Sequence, residues 1–537
     1  MVPDKEHRAG TTTAPALGQE APRTPTPWID DSRLRGITTD VLDRWPSAGV
    51  AAGVVHGGEL AWFHGHGVAD TGSKDPVTEH TAFRIGSVTK TFTAVAVMQL
   101  WEQGLVDLDA PVSRYLRTLR LVPAKPRLGP VTLRHLLTHT AGIGYWPRAF
   151  DLLRPRLGSG VQAPRPVGPL AEYLRRGLRV EVEPGTKWMY SNHGFATLGQ
   201  VVEDVTGVPF DSYLRDHVFD SLGMKHSDLI VSERLLGRLA TGYVLRRRGL
   251  EPVPWRDVPT PGGGGICSTM RDLTYYVSAL LGGGRSRTGS ILQPETVATM
   301  LRPHFQPDPR IPGMGLAFDL SSDGGHRIVG KDGVVSGFLA QLLLAPDDDI
   351  GVVVLSNTGG LDARGAATPL GWAIMRHLLG LPDDPFRRDV VARPEVWADL
   401  CGWYGLAPGP MTNVFIRLLM GAGAEVRVRN RHLLLQPLSP VPAIRRGMRL
   451  YPDDPDDPYV FRVDMSEMGE PPMPVVFTAG PGGARRPAER LCFGETVFHR
   501  RPDALNPRLL ATSALGAGAI AAAIRTAVRR ATRATPT

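Results

Sequence analysis

Cysteine is nearly absent: three in 537 residues, Cys267, Cys401 and Cys492. They form no C-x-x-C pair and are too few and too widely spaced for a disulfide framework or a four-ligand zinc site. They read as small buried apolar residues of a reducing compartment. No uninterrupted apolar run of about 20 residues occurs, so no membrane-spanning helix is expected. Residues 1–27 lack the apolar stretch of a secretory signal, which makes a cytoplasmic protein the expectation. The net charge is +8, but 61 basic and 53 acidic residues are scattered along the chain. Without a basic block interleaved with aromatics, nucleic acid is not an expected partner. G-x-S-x-G is missing, and so are H-E-x-x-H and any His/Cys cluster. Neither the nucleophile elbow of an α/β-hydrolase nor a metal is implied, and no cofactor is expected.

Lysine is the other scarcity. Of the 61 basic residues only seven are lysine (5, 74, 90, 125, 187, 225 and 331), leaving 54 arginines. In a chain that uses arginine for positive charge, each lysine invites a chemical reason.

What is present suffices for two to four domains, with 42% hydrophobic and 21% charged positions. Residues 1–30, rich in Thr, Pro and charge, are expected to be disordered. Ala48 to Ala69 reads as two strands around the turn His56-Gly57-Gly58-Glu59. Ser87 opens a helix signal that Gly104 closes, and Phe195 to Val205 reads as an apolar helix. Ser268 is the expected N-cap of another, with Arg271-Asp272 as its exposed first turn. His326–Val329, Phe338–Leu344 and Ile350–Leu355 read as strands, followed by a helix over Leu370–Leu379. Helices in the middle with strands at both ends predict a mixed α/β (α+β) domain over 31–385, not a βαβ repeat. Short alternating runs predict a β-rich domain over 386–505. The tail 506–537 joins a small-residue apolar stretch to four arginines. It reads as a helix docked on a domain, with an interfacial membrane helix as the alternative.

Ser87-Val88-Thr89-Lys90 is the one place where a Lys follows a Ser by three residues. On a helix, positions i and i+3 share a face, so the amine can approach the hydroxyl. A desolvated Lys can shed its proton whereas Arg cannot, and a serine needs such a base to become a nucleophile. A helix N-terminus also disfavours a second positive charge.

GSVTKTFTA resembles the active-site helix of the serine β-lactamase and penicillin-binding-protein superfamily, nearest to class C β-lactamases, D-alanyl-D-alanine carboxypeptidases and related esterases. GVADTGSKDPVTEHTAFRIGSVTK, VTLRHLLTHTAGI, PGTKWMYSN, GGGGICSTMRDL and IGVVVLSN stand in that family's order over about Ala48 to Leu379. The resemblance implies an antiparallel sheet flanked by helices, a helical subdomain and a small C-terminal all-β domain. It implies that Ser87 attacks an acyl carbon, and that Lys90 takes its proton directly or through Tyr190. Tyr190 would protonate the leaving group, its pKa lowered by Lys90 and Lys331, while Asn192 orients Lys90 and meets the substrate. The backbone N–H groups of Ser87 and Val334 would form the oxyanion hole.

The third motif departs from the family's Lys-Thr-Gly or His-x-Gly. Here it is Lys331-Asp332-Gly333, with Lys331 in the cationic position and Gly333 allowing close approach of substrate backbone. Asp332 replaces a hydroxyl, and an anion there repels a substrate carboxylate. That weakens a β-lactam or D-Ala-D-Ala substrate and leaves neutral esters and amides, or a cationic group, acceptable. His139 reads as a structural histidine. The expectation is a serine hydrolase acting on small-molecule esters, amides or peptides. Its alternatives are a β-lactamase or carboxypeptidase, an acyltransferase with the same residues, and a non-catalytic binding protein on this fold.

Overall fold

The computed structural model describes residues 28–145, 170–360, 364–406, 417, 420–479 and 487–507. The N-terminal 27 residues and the Arg-rich tail from 508 onward, with the expectations made for them, lie outside the described residues.

The hairpin read at the start of the chain is strands β1 (Gly49–His56) and β2 (Glu59–Gly67). Gly57 and Gly58 both hold positive φ, the backbone that a tight two-residue hairpin turn requires. From the far end of the same unit come β3 (Asp319–Asp323), β4 (His326–Val335), β5 (Phe338–Ala345) and β6 (Ile350–Ser356). The six form one antiparallel sheet in the order β2-β1-β6-β5-β4-β3. The first hairpin thus closes onto the last strand, with Val54 opposite Val352. β5 and β6 are buried along their whole length, because helices cover both faces. Helices α1 (Asp31–Arg44) and α6 (Ala367–Leu378) pack on one face. On the other lies the larger core around α2 (Thr89–Glu102), α4 (Asn192–Thr206) and α5 (Met270–Leu281). A short helix α3 (Leu133–Leu137) precedes α4.

The start of α5 differs from expectation. Thr269, not Ser268, caps α5, its side chain accepting the Asp272 N–H at 3.1 Å. Ser268 stays extended because Cys267–Thr269 pairs with Ala82–Arg84. Asp272, expected in an exposed turn, is buried and accepts from His226 N and Ser227 Oγ, each at 2.7 Å. Burial pushes its carboxyl up to about 6. A group bound more tightly to its proton in the folded state stabilises fully below the ordinary carboxylate range, and that contribution is lost as pH rises through about 6. Asp272→Asn is therefore expected to melt higher than wild type above pH 6, by up to about 3 kcal/mol of stability, with the gap closing toward pH 4. Melting curves from pH 4 to 8 check this; a gap that does not change with pH contradicts it.

The C-terminal β-strands close into an eight-stranded antiparallel barrel running from Gly402–Leu406 to Thr496–Arg501. It has a core of its own, with Tyr404, Leu435, Val463, Phe477 and Phe498 fully buried. Arg310 fastens it to the first unit, donating to Asp457 at 2.8 Å and to the Phe477 carbonyl at 3.0 Å. Arg462 donates to the Ser322 carbonyl at 3.0 Å on β3, the outer edge of the sheet. Cys492 sits in a small apolar contact with Ile311 and Val476, Cys267 is buried, and Cys401 is half-buried; all three are free thiols.

Candidate active site

Ser87 stands at a junction. The helix expected to open on it starts two residues later, and Ser87 lies in the preceding single 3-10 turn, Gly86–Val88. Its hydroxyl caps no backbone N–H and is free for side-chain chemistry. The turn is pressed against β4. A Cβ on Gly86 would stand 2.7 Å from Val334 N, and one on Gly333 would stand 2.0 Å from the Ile85 carbonyl. Glycine is required at both points, and Gly86 also holds positive φ. This approach sets the backbone N of Val334 beside the turn that carries Ser87.

One turn on, Lys90 is fully buried at the start of α2. Its Nζ lies 3.0 Å from Ser87 Oγ, 2.7 Å from Asn192 Oδ1 and 2.5 Å from the Gly263 carbonyl. As an ammonium it can donate to all three. As a neutral amine it has two N–H groups for Asn192 and Gly263, and a lone pair left for the Ser87 proton. Burial, and after it the charge of Lys331, holds Lys90 well below the ordinary lysine range. Asn192 reaches it because Ser191 caps α4, accepting from Gly194 N, and so starts that helix three residues before the expected Phe195.

Tyr190 donates its phenolic proton to Ser87 Oγ at 2.6 Å. Lys90 Nζ stands 4.8 Å and Lys331 Nζ 5.8 Å from its ring centre. The expectation that these cations lower its pKa is corrected here. Burial raises it above the usual phenol range, and Lys331 offsets only part of that. The hydroxyl therefore keeps its proton at neutral pH. His139 packs its ring 4.4 Å from that of Tyr190 and accepts the Ser191 N–H at 3.2 Å through Nδ1. Burial keeps it neutral, so it is a packing and hydrogen-bonding residue.

Lys331 on β4 is buried between two carboxylates, donating to Asp319 Oδ2 at 2.8 Å and to Asp332 Oδ1. Burial opposes its charge, but Asp319 and Asp332 more than compensate and hold it well above the ordinary range. Both acids keep about half of their side chains exposed, 47% and 48%. The barrel reaches the same edge. Glu470 and Glu495 are each pushed up to about 7, first by burial and then by Asp332 and Asp319 respectively.

The structure brings together Ser87, Lys90, Tyr190, Asn192, Lys331, Asp332, Gly333 and Val334, all eight residues singled out in the sequence. Sequence reading missed the Gly263 carbonyl, although the run Gly262–Gly265 marked a close approach, and Asp319, for which no motif gave a signal. Among the described residues, no cluster of His, Cys, Asp or Glu could hold a metal ion.

A family model described as Beta-lactamase matches residues 39–375. Esterase EstB of Burkholderia gladioli is 36% identical over 245 residues, 44% of this chain. The chain spans 60% of that esterase's length. A D-aminopeptidase of Brucella canis is 26% identical over 408 residues, 75% of this chain and 72% of the relative. The octameric penicillin-binding protein homologue from Pyrococcus abyssi superposes with a TM-score of 0.58 at 24% identity, covering 88% of this chain and 100% of its own. That last likeness shows the fold, barrel included.

Proposed function

The chain belongs to the Beta-lactamase family, and from that premise we propose that it is a serine hydrolase that forms an acyl-enzyme on Ser87 with carboxylic esters or amides that lack a carboxylate at the Lys331 edge. The observation that carries the catalytic part is Ser87 Oγ held between Lys90 Nζ at 3.0 Å and Tyr190 Oη at 2.6 Å. Neutral Lys90 takes the Ser87 proton as the Oγ–acyl bond forms. The carbonyl oxygen, now anionic, receives the N–H groups of Ser87 and Val334. Tyr190 gives its proton to the leaving oxygen or nitrogen as that bond breaks, and the ammonium left on Lys90 returns it. Water then enters by the reverse sequence. Tyr190→Phe is expected to lower kcat by about 10²–10³-fold with little change in KM, because the lost proton donor acts in the transition state. Steady-state kinetics on an amide or an alkyl ester, whose poor leaving groups need that proton, measure it. An unchanged kcat would remove Tyr190 from the reaction.

Substrate class follows from Lys331, whose charge is already met by Asp319 and Asp332. A substrate carboxylate gains little there and faces two anions; a neutral group pays no such cost, and an amino group is attracted. The second reading, a peptidase for substrates with a free amino group, draws on these acids and on the likeness to the Brucella canis D-aminopeptidase. A matched series of neutral, amino-bearing and carboxylate-bearing p-nitrophenyl esters tests the class. The carboxylate-bearing ester should fall at least about tenfold behind in kcat/KM, about 1.4 kcal/mol. Asp332→Asn should narrow the gap. Parity among the three esters in wild type would contradict the reading. As Glu470 and Glu495 ionise near pH 7, KM for the amino-bearing ester should fall between pH 6 and 8 while that of the neutral ester stays level.

A further inference from the structure

Away from Ser87, the junction of the barrel with the first unit holds an open cleft of about 830 Å³, lined by Lys187, Glu489, Arg490, His499, Arg500, Arg501 and Pro502. Its positive charge is built by the barrel's register. Arg490 on Ala488–Phe493 stands directly opposite His499 on Thr496–Arg501. Arg501, two residues on from His499, projects from the same face of the strand. Lys187 meets them from the loop that leads to Tyr190. Lys187, Arg490, His499 and Arg501 are half-buried. Among the described residues none of the four has a carboxylate partner, and the exposed Glu489 at the rim pairs with none of them.

Like charges held this close across a strand pair oppose folding. Lys187 is kept below the ordinary lysine range by burial and by Arg501. His499 is lowered by burial and then by Arg501, Lys187 and Arg490. An anion in the cleft relieves all of these repulsions at once.

We propose that this cleft is a binding site for a phosphate-bearing ligand carrying two or more negative charges. The volume suits a small molecule. Two arginine forks match the oxygens of a phosphoryl or pyrophosphoryl group in a bidentate manner. Pro502 is the one apolar lining residue and the lining has no Phe, Tyr or Trp, so the walls recognise charge and offer little surface for burying an acyl chain. Lys187 belongs to the first unit and the arginines to the barrel, so the ligand bridges the two.

The test is titration calorimetry of the full chain with sodium pyrophosphate at low ionic strength. Wild type is compared with Arg490→Gln/Arg501→Gln and with the charge-matched surface control Arg429→Gln/Arg431→Gln. Melting curves and ester turnover verify that each variant is folded. Saturable binding by wild type and control, weakened at least tenfold in the Arg490/Arg501 variant, is the expected result. No saturable binding, or equal affinity in all three proteins, overturns the proposal. Competition by phosphatidylcholine vesicles with and without phosphatidic acid then distinguishes the source of the phosphate. Displacement by the phosphatidic acid vesicles names a lipid headgroup, and failure to displace names a soluble phosphate compound; each supports the site.

Discussion

Ser87→Ala is expected to bring hydrolysis of a p-nitrophenyl ester to within about tenfold of its spontaneous rate, a loss on the order of 10⁴-fold or more in kcat. The variant removes one oxygen and disturbs little else. Among the described residues, Ser87 Oγ is bonded only to the side chains of Lys90 and Tyr190, and Lys90 keeps Asn192 and the Gly263 carbonyl. Its melting temperature should match wild type. Loss of activity with an unchanged fold is the signature of a missing nucleophile, since every binding contact and both oxyanion N–H groups remain. Retained turnover would place the nucleophile elsewhere.

Lys90→Met should cost about 10²–10⁴-fold in kcat, the range a positioned general base contributes. Lys90→Arg should be no better, although it restores a cation, because guanidinium does not release its proton at working pH. The pair separates basicity from charge. If Lys90 served only as a positive charge for the oxyanion or the substrate, the Arg variant would keep much of its activity. The pH profile adds an independent reading. The active form is the free amine, present above the depressed Lys90 pKa, so kcat/KM of wild type should fall as pH drops through that value. The residual activity of the Met variant should lack this limb. Because the unfolded lysine binds a proton that the folded one has shed, stability should also rise with pH from the depressed value up to the ordinary lysine range.

The proposed catalytic group was legible where its chemistry is local in sequence. S-x-x-K needs only one helical turn to bring amine and hydroxyl together, and Tyr190 with Asn192 needs only the cap of α4 to face them. The scarcity of lysine sharpened the reading, since two of the seven, Lys90 and Lys331, enter the site and a third, Lys187, lines the phosphate cleft. What the sequence could not supply was set by burial and by long-range packing. Tyr190 has two lysines near its ring, which argues for a lowered pKa, yet Lys90 is held toward its neutral amine and desolvation outweighs the charge of Lys331. Asp319 reaches Lys331 because β3 pairs beside β4, a partnership 12 residues apart that no motif records. The Gly263 carbonyl meets Lys90 across 173 residues of chain. Ser268 fails as a cap because a distant strand keeps it extended, and Asp272 is drawn into the interior by Ser227 and His226. Local chemistry is visible in the chain; the balance between burial and charge is a property of the fold.

The central claim is a covalent acyl group on Ser87, and rapid-quench mass spectrometry during turnover of a short-chain p-nitrophenyl ester tests it most directly. The account predicts a burst of nitrophenol equal to one per chain. It also predicts an intact mass raised by one acyl group and a single modified peptide containing Ser87, all absent from Ser87→Ala. A linear release with no adduct, or an adduct that persists in the Ser87→Ala protein, would contradict it.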